Sequence, residues 1–230
     1  MNTTAKQPAP PGIGTGIYTM AEAARLIKAA PGSVRRWADG HRYAIAATDT
    51  VRVLPPVIDR TNSEPGLLTF YELIELCFVR EFDRCGVKLS EIRAAAQKLR
   101  DEWSTVYPFA LNRIKTDGCQ LLLDAGAQYR QVATCQQVFA FADEFFKDID
   151  VDADGLAEKW WPMGREHLVV LDRHRAFGAP IEVRTGVRTE ILYKAFKAEK
   201  DIAAVADWYE VPAEAVRDAI NFEETWLKAA

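Results

Sequence analysis

The sequence predicts a mainly α protein with small β hairpins. Three observations lead there. Two Thr-x-x-Glu boxes, Thr19 to Glu22 and Thr69 to Glu72, each open a run of apolar residues at helical spacing. Proline and glycine divide the helical runs, with Pro31 and Pro212 placed to start helices and Gly86 placed to stop one. Between the helices lie only brief β-branched runs, suited to hairpins.

Composition narrows the class. The chain has 230 residues, 49% hydrophobic and 27% charged, which suits one large or two small domains with real cores. No apolar run approaches about 18 residues, so a membrane span is not expected. The N-terminus lacks a charged region followed by an apolar one, so a cytoplasmic protein is expected. Cys77, Cys85, Cys119 and Cys135 show no CxxC spacing, and His41, His167 and His174 do not cluster with them. Free thiols are therefore expected, with no metal and no cofactor. No GxSxG, P-loop or HExxH motif occurs, so no enzyme is expected. The net charge of −4 is unevenly spread. Residues 1–60 hold eight Lys/Arg against four Asp/Glu, and residues 151–230 hold eleven against fifteen. A basic head on an acidic body suits contact with nucleic acid at one end and another partner at the other.

Residues 1–16 are rich in Pro, Gly and small polar residues and read as a flexible leader. Thr19 then caps a helix carrying Ala23, Ala24, Leu26 and Ile27, which ends near Ala29 ahead of Pro31. Pro31 opens a second helix with Val34 and Trp37 inward and Ser33, Arg35 and Arg36 outward. Two short helices with arginines on the second form a helix-turn-helix able to read a major groove. A plain helical hairpin with solvated arginines fits the same spacing. From Tyr43 to Ile58, alternating apolar residues predict two short strands around an Ala47–Thr50 turn, ended by Pro55 and Pro56. Arg42, Tyr43 and Arg52 on this hairpin could meet phosphates, or the hairpin could simply cover the core.

After a polar loop, Thr69 caps a long helix with Phe70, Leu73, Ile74, Cys77 and Phe78 on one face. Another helix runs from Leu89 to Trp103. Thr116-Asp117-Gly118 between Arg113–Lys115 and Leu121–Leu123 predicts a hairpin. A helix from about Thr134 to Phe146 follows, whose Phe139, Phe141, Phe145 and Phe146 could be core or a subunit interface. The acidic run Asp148–Gly155 fails the EF-hand test, because position twelve is Lys159, and reads as an interdomain loop with Trp160-Trp161-Pro162 as a hinge. Leu168–Leu171 and Ile181–Val183 predict a small hairpin. Thr189 and Asp201 are expected to cap two helices, and Pro212 opens a third. The outward residues of that last pair are expected to be Glu210, Glu214, Asp218, Glu223 and Glu224, which phosphate would repel.

Tyr18–Ala24 (YTMAEAA) and Pro31–Trp37 (PGSVRRW) resemble the opening of MerR-type winged helix-turn-helix domains. The similarity continues through the helix pair to residue 103, and it implies DNA contact at Arg35. Ala30 stands where that family has a Ser cap, and Arg36 where it has an aromatic. The chain departs from MerR proteins after residue 103, where those proteins carry a long dimerisation helix. Phe177–Ile181 (FGAPI), Thr185–Thr189 (TGVRT) and Asp201–Tyr209 (DIAAVADWY) resemble a small bacterial domain of VapB-type antitoxin-like character, with Arg184 in place of a usual Gly.

Four segments are thus expected: the leader 1–16, a winged helix-turn-helix 17–104, a connecting segment 105–164, and a three-helix module 165–230. The resemblances together imply a homodimeric DNA-binding antitoxin of a type II toxin–antitoxin pair. Such a protein would neutralise a PIN-like ribonuclease toxin and repress its own operon. A MerR-like regulator responding to a small molecule is the alternative.

Overall fold

The computed structural model describes residues 14–45, 50–60, 63–116 and 130–226. Two short strands, β1 (Ile17–Thr19) and β4 (Leu67–Thr69), pair antiparallel. Each ends in a threonine that caps the next helix. Thr19 and Glu22 form the capping box of α1 (Met20–Leu26), and Thr69 and Glu72 that of α3 (Phe70–Arg84). The sheet therefore fixes the two helix starts against each other. α2 (Pro31–Asp39) begins at Pro31, as its sequence predicts, and Ala30 supplies no side-chain cap. The ribbon β2 (His41–Ile45) and β3 (Thr50–Leu54) follows, and then α4 (Leu89–Trp103).

The fold takes in the end of the predicted leader, since the Thr15 carbonyl accepts the Phe70 N–H at 3.0 Å. The predicted turn at residues 47–49 lies outside the described residues. So do residues 117–123 of the hairpin expected after Arg113. Its first limb is not a strand. Ile114, Lys115 and Thr116 donate to the carbonyls of Leu111, Asn112 and Arg113, the i to i−3 bonding of a helical turn.

α5 (Arg130–Phe145) starts before the predicted Thr134. Phe78 on α3 gathers its rings, with centroids 5.2 Å from Phe141, 5.7 Å from Phe145 and 6.1 Å from Phe146. These three are core residues, packed onto the head; the Phe139 side chain is outside the described part.

The acidic run is not an interdomain loop. β5 (Ile149–Val151) and β6 (Ala157–Trp160) make it a hairpin, with the Asp152 carboxylate accepting the N–H groups of Asp154 and Leu156 at its turn. No metal-holding group of His, Cys, Asp or Glu occurs among the described residues. β7 (Val169–Asp172) and β8 (Pro180–Glu182) add to the same antiparallel sheet, in the order β5-β6-β7-β8. This sheet crosses the boundary expected at 164/165, because β6 pairs with β7 through Trp160 and Leu171. One continuous core joins α1–α5, β5–β7 and Phe222.

A second core, with Leu192, Val205, Val216 and Ala219, lies within α6 (Thr189–Glu199), α7 (Ile202–Tyr209) and α8 (Ala213–Asn221). Asp201 caps α7 as expected, accepting from Ala203 and Ala204. Thr189 does not cap α6. Arg188 holds that position, and the Thr189 hydroxyl donates to Glu223 at 2.6 Å. Asp218 is not outward. It is buried and accepts the Leu168 N–H at 2.8 Å and bonds His167 Nδ1 at 2.9 Å. Glu223 and Glu224 are half-buried, the latter accepting from Tyr193 at 3.0 Å. No described helix is long and apolar enough to cross a membrane.

Candidate nucleic-acid interface and the cleft behind it

α2 presents one face to the core and one to solvent. Val34, Trp37 and Ala38 are buried, while Arg35 and Arg36 are exposed and Ser33 is half-buried between them. Gly40 makes the exit from α2 possible. Its φ is 78°, and a Cβ there would lie 2.3 Å from the Leu54 carbonyl oxygen. The chain can therefore turn at once into the ribbon, and the Val57 N–H donates back to Trp37 at 2.7 Å.

Register decides which ribbon positions share a face. Tyr43 lies opposite Arg52, and Arg42 opposite Val53. Alternation puts positions 43 and 52 on one face and 42 on the other. The three predicted ribbon residues are thus not one patch. Arg42 is exposed on the face that also carries Val51 and Val53, themselves 64% and 57% exposed. The side chains of Tyr43 and Arg52 are outside the described part. Among the described residues, no ion pair or hydrogen bond engages the guanidiniums of Arg35, Arg36 or Arg42.

Other arginines of the head have different work. Arg80 donates to the Ile27 carbonyl at 2.6 Å and holds the α1–α2 turn on α3. Arg60 binds Asp39 and the Leu67 carbonyl and lies 3.7 Å from the buried Glu72. Arg93 donates to Pro55 and Pro56, at 2.8 and 3.2 Å, and Arg100 to Val57 at 3.4 Å. These contacts brace the base of the ribbon from α4. Sequence patterning does not reveal them, because the carbonyls of Ile27, Pro55, Pro56 and Val57 lie 37 to 53 residues from the arginines that reach them, and Arg60 is bound by a carboxylate from α2. Charge count alone would have placed all four on the binding face.

Behind α1, the head meets the C-terminal half. The Tyr18 hydroxyl, buried, donates to the Gly178 carbonyl at 2.7 Å. Burial, with Glu22 and Asp172 nearby, holds this phenol well above its ordinary range. Gly178 has φ 80°, and a Cβ there would stand 2.4 Å from the Tyr18 hydroxyl, so the close approach requires glycine. Ala176 and Phe177 precede it with φ of 48° and 57°. Three successive left-handed residues form a turn that costs roughly 1–2 kcal/mol at each non-glycine position. The turn leaves Phe177 64% exposed. Arg184, by contrast, carries no positive φ; the left-handed position of its turn is Gly186, at 79°. A cavity of about 350 Å³ opens here, lined by Tyr18, Glu22 and Arg25 on one side and Phe177, Arg188 and Glu223 among those on the other.

No known family profile matches the chain. It is 26% identical over 224 residues, 89% of this chain and 92% of the relative, to a Mycobacterium tuberculosis (strain ATCC 25618 / H37Rv) protein named "Putative antitoxin VapB45". The X-ray structure of Rv2018 from Mycobacterium tuberculosis matches the fold with a TM-score of 0.68 at 25% identity, over 88% of this chain and 96% of that one.

Proposed function

We propose that this chain is a DNA-binding antitoxin of a type II toxin–antitoxin pair. The observation that carries the reading is the likeness, over 89% of this chain, to a protein whose name is that of an antitoxin. The N-terminal half acts as a winged helix-turn-helix. α2 enters the major groove of operator DNA with Ser33, Arg35 and Arg36, and the ribbon meets phosphates with one of its faces, that of Arg42 or that of Tyr43 and Arg52. One short recognition helix contacts few bases, so the protein works as a homodimer on a symmetric operator and represses its own operon. The acidic C-terminal half holds a PIN-like ribonuclease toxin by covering its basic RNA-binding cleft. The protein is cytoplasmic, has no catalytic activity of its own and takes no cofactor.

A second reading, a MerR-like regulator that senses a small molecule, retains one supporting observation. The cavity behind α1, at about 350 Å³, falls within the range of ligand sites. Two assays on the purified protein separate the readings. Gel shift with the promoter of its own operon tests the head. RNA cleavage by the co-encoded nuclease, with and without this protein, tests the rest. Operator binding with no loss of nuclease activity sinks the antitoxin reading.

A further inference from the structure

The cleft behind α1 combines features that its neighbours do not share. Phe177 is held outward by a left-handed backbone that a non-glycine residue adopts only under strain, although its ring lies exposed and makes no core contact. Glycine or a small polar residue would serve the turn alone. The strain therefore serves the ring, and an exposed ring on a cleft rim is a surface for something to pack against.

The charges in the cleft say what that is. The Glu22 carboxylate is committed to its own helix start, accepting from the Thr19 N–H and hydroxyl at 2.8 Å each. Glu190 pairs with Lys194 and, at 3.3 Å, with Arg188. Glu223 accepts one hydrogen bond from Thr189, and no ion pair reaches it among the described residues. Burial and the neighbouring Glu190 push its carboxyl above the ordinary carboxylate range. Arg25 and Arg188 attract it across the cavity, but neither closes an ion pair with it among the described residues. The exposed Arg25 guanidinium, across the cavity, attracts Glu190 and Glu223 but makes no hydrogen bond among the described residues, leaving its N–H groups open to a backbone carbonyl.

We propose that this cleft seats an arginine or lysine side chain from the protein partner's surface, stacked on Phe177 with its charge at Glu223. A planar guanidinium over the ring gains cation–π attraction, and the carboxylate supplies the salt bridge. Arg25 then donates to the main chain that bears the incoming residue. The cleft is specific for a basic segment, in keeping with the acidic balance of residues 151–230. The inference rests on the protein-partner reading given above.

The test is a titration of the full chain, followed by NMR, with acetyl-Gly-Arg-Gly-amide and with acetyl-Gly-Glu-Gly-amide. The arginine peptide is expected to bind saturably and the glutamate peptide not to bind. Phe177→Gly and Glu223→Gln each weaken the arginine peptide about tenfold or more, while Glu214→Gln, on exposed α8 surface, leaves it unchanged. Phe177→Gly also raises the Tm, since glycine relieves the left-handed strain; a structural role for the ring predicts a lower Tm. Unsaturable binding to the wild type overturns the proposal, as does undiminished binding to Phe177→Gly. A wrong antitoxin assignment appears instead in the nuclease assay, so the two failures are distinct.

Discussion

Replacing Glu75 with glutamine should remove a pH dependence from the stability of this protein. Glu75 sits on α3 with no exposure. Its Oε1 accepts the N–H groups of Phe109, at 2.6 Å, and Ala110, at 3.2 Å. It thereby caps the buried 3-10 turn Pro108–Ala110 that follows α4. Oε2 has no partner. Burial is the largest influence on the carboxyl and outweighs Arg100 and the two N–H groups, so the pKa is pushed up from 4.5 to about 8. The sign follows from proton binding. Between these values the folded chain holds a proton that the unfolded chain has released. Stability from this group is full below about pH 4.5 and is lost as pH rises towards about 8. The slope is about 1.4 kcal/mol per pH unit, or about 3 kcal/mol between pH 5 and 7. Glutamine keeps the accepting oxygen and never ionises. Urea unfolding of both proteins from pH 5 to 8 gives the difference directly, with the other carboxylates cancelling. Glu75→Gln should match the wild type near pH 5 within about 1 kcal/mol and exceed it by about 2–4 kcal/mol at pH 8. A difference that does not change with pH refutes the protonated state. Glu75→Ala, which strands two buried N–H groups, should be destabilised at every pH.

Arg35→Ala should lower operator affinity by about tenfold or more in a gel shift, with an unchanged melting curve, since the side chain is exposed. Tyr18→Phe should cost about 1–2 kcal/mol in urea unfolding, because the Gly178 carbonyl loses its buried donor. Asp218→Ala should cost about 2–3 kcal/mol by the same measurement, with both the Leu168 N–H and His167 left short of a partner. A Cys77 thiol pushed up to about 12 by burial should resist alkylation at pH 8 in the folded protein and react on unfolding, as mass spectrometry would register.

What the sequence made legible was local. A capping box spans four residues, so Thr19 and Thr69 mark the starts of α1 and α3 without help from the rest of the chain. Pro31 and Asp201 work the same way. Of the four-stranded sheet, the β7–β8 hairpin is legible in the sequence, whereas the β5–β6 hairpin and the β6–β7 pairing that joins the two are not. Asp150 and Asp152 gave the first hairpin the composition of a solvated loop, although Asp150 takes a place in β5 and Asp152 folds the turn with its own carboxylate. Asp218 misled for a related reason. It occupies a polar position on α8, yet the groups that bury it lie 50 and 51 residues earlier. The arginines divide on the same principle. Arg35 and Arg36 sit opposite the buried face of their own helix, which periodicity can show. Arg60, Arg80, Arg93 and Arg100 are tied to carbonyls, a role that no pattern of residue types encodes.

The same long-range contacts bear on how the two ends of the molecule communicate. Tyr18 stands immediately before the α1 capping box, and its hydroxyl is bound to the turn that carries Phe177. Phe222, directly after α8, contributes to the core that also contains α1 and α3. The helix pair with the exposed arginines and the C-terminal module therefore share packed atoms. A partner that moves the 176–178 turn must either break the Tyr18 hydrogen bond or carry α1 with it. Since α1 and α2 are fixed to α3 through the Arg80 bond to Ile27, that displacement would reach the face bearing Arg35. Coupling of this kind is a free energy and must be reciprocal. If the basic peptide binds in the cleft more tightly when operator DNA is present, DNA must bind more tightly by the same factor when the peptide is present. Tyr18→Phe, which cuts the shared bond while leaving Phe177, Glu223 and the exposed arginines in place, should bring that factor towards one.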